Sequence, residues 1–524
     1  MNGLIFEEQP PVVLSDPNRA DIACLVGFVD RRDREVPSEV RRWLDERGWT
    51  APRYGSERIE KLLDLPVPVD SWDVFDRLFA WERRDLDGRG QLGTSYLGAA
   101  VRSFFAQGGR KCYVVRVGDP WPLASTNGAR AERIVERLEK LIPGYPQRVS
   151  ASPVDQESWQ GIGHLFGLPD VSFLCLPDLA DAVGIEHERI EPPKPLPSPD
   201  EQFVECSDPQ PAPSVDLQAR LWRAPRCDET GYAAWAQALR LIADLIARQQ
   251  REVQLVAAIP IPEEGKEAER DLLEFLVDGG HGPLATLLTD QPDGLASAFV
   301  QLTYPWTRTP GSRNLPEQLE SPDAVLAGIL ARNALARGAF RSAAGLHLGD
   351  VYDVYPSLRR DQMLKPHLDD PAESTASHTL LERVSLFGPT PSGLKLLSDN
   401  TTSLSESYRP ASVNRLISAI VRASRRLGEE LVFETSNERL WTRLRDHLNG
   451  LLLGLLHMGA LRGQTPAEAF RVRCDRSTMS QNDVDSGRVV AEVQFDPAAA
   501  IERITVVLAM DEGGQVSLAS TEMG

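Results

Sequence analysis

Between Arg409 and Met510 the spacing of apolar positions changes several times, and each change predicts a change of element. Leu416, Ile417, Ile420, Val421 and Leu427 recur at helical spacing and predict a helix that buries one stripe. LVFE, residues 431–434, reads as a short strand, and Asn437 as the cap of a second helix. In that helix Leu440, Leu444, Leu448, Leu451, Leu452 and Leu455 form a wide apolar face, with Trp441 beside it. Gly459 stands where the helix stops, and Thr465-Pro466 opens one more helical turn. Three strand-like runs follow: FRVRCD (470–475), RVVAEVQF (488–495) and ERITVVLAM (502–510).

Earlier in the chain the patterns are shorter. Residues 2–14 are extended in character, with prolines and no helical period, and they precede a buried strand at 23–29, ACLVGFV. Residues 30–90 are charge-rich and partly helical. At 94–119 a helix with Leu97, Val101, Phe104 and Phe105 on one face ends at Gly108-Gly109 and leads into the buried strand KCYVVRV. From Pro120 to about Asp290 strand and helix alternate: a helix at 131–142, a strand near 170–180, a helix at 235–250 and a strand at 253–262. Nine prolines with few aliphatics between Glu191 and Pro225 predict a long loop. No internal repeat is present.

Composition narrows the class. With 524 residues there is room for two to four domains, and 42% apolar with 25% charged residues is ordinary for a globular protein. A net charge of −19 opposes binding to nucleic-acid phosphates. None of the six cysteines forms a CxxC pair, so buried free thiols are the plainer reading beside disulfides or metal. The N-terminus lacks the basic-then-apolar order of a signal peptide, and LLLGLLHMGAL (451–461) falls far short of a membrane span. The expectation is assembly in the bacterial cytoplasm, with no direct membrane insertion.

The order WTRLRDHLNGLLLGLLHMGALRGQTPAEAFRVRCDRSTMSQNDVDSGRVVAEV closely resembles the C-terminal domain of contractile tail sheath proteins. Such proteins build the sheaths of contractile phages, R-type pyocins and extracellular contractile injection systems. CDRSTMSQNDVDSGRVV (474–490) is the most specific part of the match. The helix–Gly-Gly–strand unit at 94–119 is similar to another sheath segment, and AFVQLTYPWTRTPG (298–311) and the helix at 321–345 to two more. RVSLFGPTPSGLKLLSDNTTS departs from the family pattern. The resemblance covers about residues 1–120 and 295–510.

What the resemblance implies is a multidomain α/β (α+β) fold. Its expected parts are an N-terminal linker arm (1–20), a sheath core (21–120 and 296–400), an outward-facing inserted α/β domain (121–295), a C-terminal sheath domain (401–500) and a C-terminal arm (501–524). The arms, with Leu4, Ile5, Phe6 and Glu7 at one end and Ile504, Val506, Val507 and Leu508 at the other, would exchange strands between subunits. Head-to-tail contacts that do not close propagate as a helix. The expected partners are therefore copies of the chain in stacked rings, hexameric in this family, then an inner tube protein, and baseplate and cap proteins. The implied function is a structural sheath subunit that contracts to drive the tube through a target envelope. The alternatives are a sheath-like accessory, as a baseplate-proximal ring or cap adaptor, and an enzyme with its site in the inserted region.

Chemistry is sparse. GIGHLFG (161–167) is not preceded by an apolar strand as a dinucleotide loop requires, HLDD (367–370) reads as a polar turn, and no HExxH, GxSxG or phosphate loop occurs. No catalytic residue, metal or cofactor is expected. One charge pattern stands out: Arg409, Arg415, Arg422, Arg425 and Arg426 with no acid among residues 409–426. It predicts either a solvated helix face or, for Arg415, Arg422, Arg425 and Arg426, a surface that meets the tube through opposite charge.

Overall fold

The computed structural model describes residues 19–86, 90–123, 129–185, 222–263, 298–365, 367–368, 377–403, 406–431, 438–499, 504–510 and 516–523. The expected N-terminal arm up to residue 18, Leu4 to Glu7 included, the proline-rich stretch from 191 to 221, the LVFE strand beyond Leu431 and the Asn437 cap lie outside these residues. Residues 23–396 are organised around eight strands: β1 (Ala23–Phe28), β2 (Pro66–Val69), β3 (Cys112–Gly118), β4 (Phe173–Cys175), β5 (Gln254–Ala258), β6 (Val300–Tyr304), β7 (Ser385–Thr390) and β8 (Gly393–Leu396). They form one sheet in the order β8-β7-β6-β5-β4-β1-β3-β2. All neighbours from β7 to β3 run parallel, and the two edge strands are antiparallel.

A parallel sheet needs both faces covered, which is why these strands read as unbroken apolar runs rather than alternating ones. Residues of β1 alternate between the two covers. Cys24, Val26 and Phe28 face α4 (Arg130–Leu141) and α5 (Glu229–Gln249), with Leu138, Trp235 and Ile242 in the same cluster. Ala23 and Leu25 face α3 (Tyr96–Ala106) and α6 (Asp323–Arg337), with Val101, Phe104, Val325 and Ile329. Two shorter helices, α1 (Ser38–Glu46) and α2 (Trp72–Leu78), extend that second layer through Leu44 and Phe75.

The expected inserted domain is corrected here. Residues 121–295 supply β4 and β5, which sit between β1 and β6 in the middle of the same sheet. The physical reason lies in their sequence: FLC and QLVAA are buried at every position and can only be central strands.

The C-terminal unit has its own core. Helices α7 (Ala411–Leu431) and α8 (Glu438–His457) pack on an antiparallel sheet ordered β9 (Phe470–Arg473), β10 (Val489–Phe495), β11 (Ile504–Met510), β12 (Val516–Met523). Leu416, Ile417, Ile420, Leu444, Leu448 and Leu452 meet Val489, Ala491, Val493 and Phe495 in one cluster. Along β10 buried and half-buried residues alternate strictly, as a strand covered on one face requires. Helix α8 ends at Gly459, whose φ of 75° is the left-handed stop expected of it.

Candidate functional site

Sheets of the doubly wound kind bind ligands at the carboxyl ends of their strands, where the strand order reverses. Here that point lies between β1 and β4, since the chain goes outward from β1 to β3 and returns to β4 on the other side. The crevice is filled by the chain itself. The Asp178 carboxylate enters it and accepts the Phe28 N–H at 2.9 Å. Gly27 leaves room for it, because a Cβ there would stand 2.2 Å from Asp178 Oδ2. Behind it Arg84 donates to Asp181 at 2.6 Å, both side chains about 1% exposed, and to the Trp121 carbonyl at 3.2 Å.

Two more buried carboxylates stand on this edge. Glu320 accepts from Ser103 Oγ at 2.6 Å, and Asp323 opens α6 and accepts the Ala324 N–H at 2.9 Å. Burial pushes the carboxyls of Asp178 and Glu320 up to about 8 and that of Asp323 up to about 6. Sequence reasoning missed them; the available signal was an aspartate inside the apolar run FLCLPDLA. Among the described residues no group of three or more His, Cys, Asp or Glu could hold a metal ion. Residues 161–167 form a short 3₁₀ helix, largely buried, with His164 against Asp64 at 3.1 Å. The described cysteines, Cys24, Cys112, Cys175, Cys227 and Cys474, are buried free thiols.

The arginines of α7 need a correction. Arg415 and Arg422 are 4% and 3% exposed, so neither presents a surface to a tube or to solvent. Arg415 makes a two-pronged pair with Asp399, at 3.0 and 2.6 Å, and Arg422 donates to three backbone carbonyls. Arg425 pairs with the buried Glu252, and Arg426 is half-buried. The absence of acids among residues 409–426 has a plain cause: their counter-charges, Asp399 and Glu252, come from other parts of the chain.

One exposed face in this unit belongs to α8. Arg439, Thr442, Arg443, His447 and Gly450 are exposed, and Leu453 is 37% exposed. A Cβ on Gly450 or Gly454 would meet nothing within 4 Å. Beside this face a cavity of about 410 Å³ is lined by Leu335, Phe340, Leu416, Leu451, Leu455 and Met458 among others.

The C-terminal strands also differ from expectation. Ile504–Met510, expected to complete a neighbour's sheet, is hydrogen bonded on both sides within its own chain, to β10 from Val489 to Phe495 and to β12 from Val516 to Met523. Val506 and Leu508 are buried and Val507 is half-buried. Strand β12 went unread; a seven-residue strand followed by DEGGQ and then alternating VSLASTE was its hairpin signal. The edges of the sheet are β12 and β9.

No protein-family model matches the chain, and no curated protein does. Among solved structures the likeness runs over nearly the whole length, and the fold is that of contractile tail sheath proteins. A chain of the anti-feeding prophage baseplate in its contracted state matches with a TM-score of 0.56 at 16% identity, over 94% of both chains. A chain of the six-fold symmetrised baseplate of that particle gives 0.52 at 18% identity over 95% of each. Its helical sheath in the contracted state gives 0.50 at 17% identity, over 94% of this chain and 95% of the other.

Proposed function

We propose that this chain is a structural subunit of a contractile sheath, polymerising around an inner tube and contracting to drive it forward. The observation that carries the reading is the match, over 94% of this chain, with the helical sheath of the anti-feeding prophage. The filled crevice at the β1/β4 switch point supports a structural rather than an enzymatic role.

Exchange of β12 is the C-terminal link that fits the geometry. An outer strand paired with β11 in one chain makes the same hydrogen bonds when it pairs with β11 of another copy, so the swap costs little. The N-terminal segment, from Leu4 to Glu7, is the second connector in this reading, and the open edge of β9 is its receptor. The inner tube meets the outward face of α8, where Arg439 and Arg443 offer positive charge.

Negative-stain microscopy of the purified full chain, and of chains lacking residues 1–15 or 516–523, tests the reading. Long tubes from the full chain and soluble, folded subunits from both truncations are expected. Tubes from both truncations would overturn the exchange scheme. A second reading is favoured by one observation: the two baseplate chains match with higher TM-scores than the helical sheath does. A baseplate-proximal accessory would give single rings or monomers instead of tubes.

A further inference from the structure

The amino ends of the central strands, opposite the filled crevice, carry one buried guanidinium that joins distant parts of the chain. Arg422, on α7 of the C-terminal unit, donates to the Arg19 carbonyl at 2.9 Å through Nη1. Its Nη2 donates to the Val171 carbonyl at 2.8 Å and to the Glu252 carbonyl at 3.1 Å. Val171 and Glu252 lie two residues before β4 and β5, and Arg19 four before β1. These three segments are already laced together: the Ser172 N–H donates to Ile22 O at 2.8 Å, and the Gln254 N–H to Ser172 O at 2.9 Å.

The same helix adds two contacts to that edge. Ser418 Oγ donates to the Arg251 carbonyl at 3.3 Å, and Arg425 pairs with the Glu252 carboxylate. Arg19 is fixed in turn by a two-pronged pair with the fully buried Asp21, at 2.7 and 3.1 Å. Burial works against the Arg422 charge, and Glu252 and Asp170 offset it, while Arg425 and Arg426 repel it. The two terminal nitrogens are used while the buried Nε has no partner, and a planar fork is the group that can reach carbonyls on three separate segments.

We infer that Arg422 is a positioning residue that fastens the root of the N-terminal segment and the C-terminal unit to one node on the sheet. Displacing α7 then disturbs residues 19–25 directly, without passing through β6, β7 and the chain that follows them. The inference rests on the reading of the two chain ends as connectors between subunits. In that reading a load arriving on one connector reaches the other by way of this node, with Arg422 at its centre and Ser418 and Arg425 beside it.

Amide hydrogen exchange on the purified full chain, wild type against Arg422→Lys, tests it. A lysine keeps the charge but has no fork. The expected result is exchange faster by about tenfold or more at Ile22–Leu25, Ser172–Leu174, Gln254–Val256 and in α7. The Phe28 amide, held by Asp178 at the other edge, is expected to stay within about twofold. Unchanged rates, or a uniform rise across the protein, would overturn the inference, because a side chain that merely fills space would be replaced without this pattern. If Arg422→Lys does not fold, Ser418→Ala and Arg425→Gln are read by the same criterion. Tube formation is scored separately: tubes with no exchange pattern defeat the node, and the pattern without tubes defeats the sheath reading.

Discussion

The two sheets of this protein are finished to different degrees. The eight-stranded sheet is covered on both faces, and one of its edges is closed by β2, whose sequence PVPV lacks an N–H at two of four positions. The four-stranded sheet is covered on one face, alternates along β10, and ends on β9 and β12, which contain no proline. Edge strands with unpaired backbone groups invite pairing unless something blocks them. The first sheet is blocked by proline at β2 and covered at β8 by the backbone of residues 345–348, and among the described residues the second sheet has no such cover on β9 or β12. On the proposed reading, the first sheet holds the subunit together and the second is where copies associate.

The sharpest way to break this arrangement is to cut the joint between the regions. Asp399 follows β8 and holds Arg415 of α7, and it also accepts from the Ala343 N–H at 2.7 Å and Gln301 at 2.9 Å. Removing one partner leaves a buried charge alone, so Asp399→Ala is expected to cost about 3–5 kcal/mol. Urea unfolding followed in each region is expected to show the C-terminal unit released first. The charge on Asp399, favoured by Arg415, also makes the joint weaken as pH falls through the carboxylate range.

A pH series sharpens the comparison. Asp178, Glu320 and Asp323 have raised values in the fold, so each adds stability below the ordinary carboxylate value near 4 and loses it as pH rises toward its folded value. The parallel-sheet core is therefore expected to lose about 2 kcal/mol or more between pH 5 and pH 8. Denaturant midpoints at the two pH values check this, and Glu320→Gln is expected to flatten the dependence. The acids Glu468, Asp475 and Asp483 of the C-terminal unit are shifted down, by hydrogen bonds from neighbouring backbone and side chains, so that unit does not share the trend.

Smaller effects concern α8. Glycine inside a helix is less stable than alanine by about 0.5–1 kcal/mol, and nothing in this chain requires it at 450. Gly450→Ala is expected to raise the stability of the isolated subunit by that amount, read by thermal unfolding, and to hinder tube assembly if another backbone approaches there. Arg439→Glu with Arg443→Glu is expected to weaken co-sedimentation with a tube.

How much of this could be read from sequence depended on whether the signal was local. The α7 and α8 stripes, the Gly459 stop, the Thr465-Pro466 turn and the runs that became β9, β10 and β11 were all visible, because period and punctuation lie within a few residues of one another. Membership of β4 and β5 in the central sheet was not visible, since hydrogen bonding between strands far apart in sequence leaves no local mark. The α7 arginines failed for the same reason: a run without acids looks like an exposed basic face until Asp399 and Glu252 are brought to it. The pairing of Ile504–Met510 on both sides turned on an unread hairpin.

The prolines of β2 bear on how many ways a subunit can be joined to others. A building block with sticky margins on both sheets would branch, and branched growth gives gels instead of ordered rods. By making one margin inert, Pro66 and Pro68 lower the number of edges at which the block can be extended.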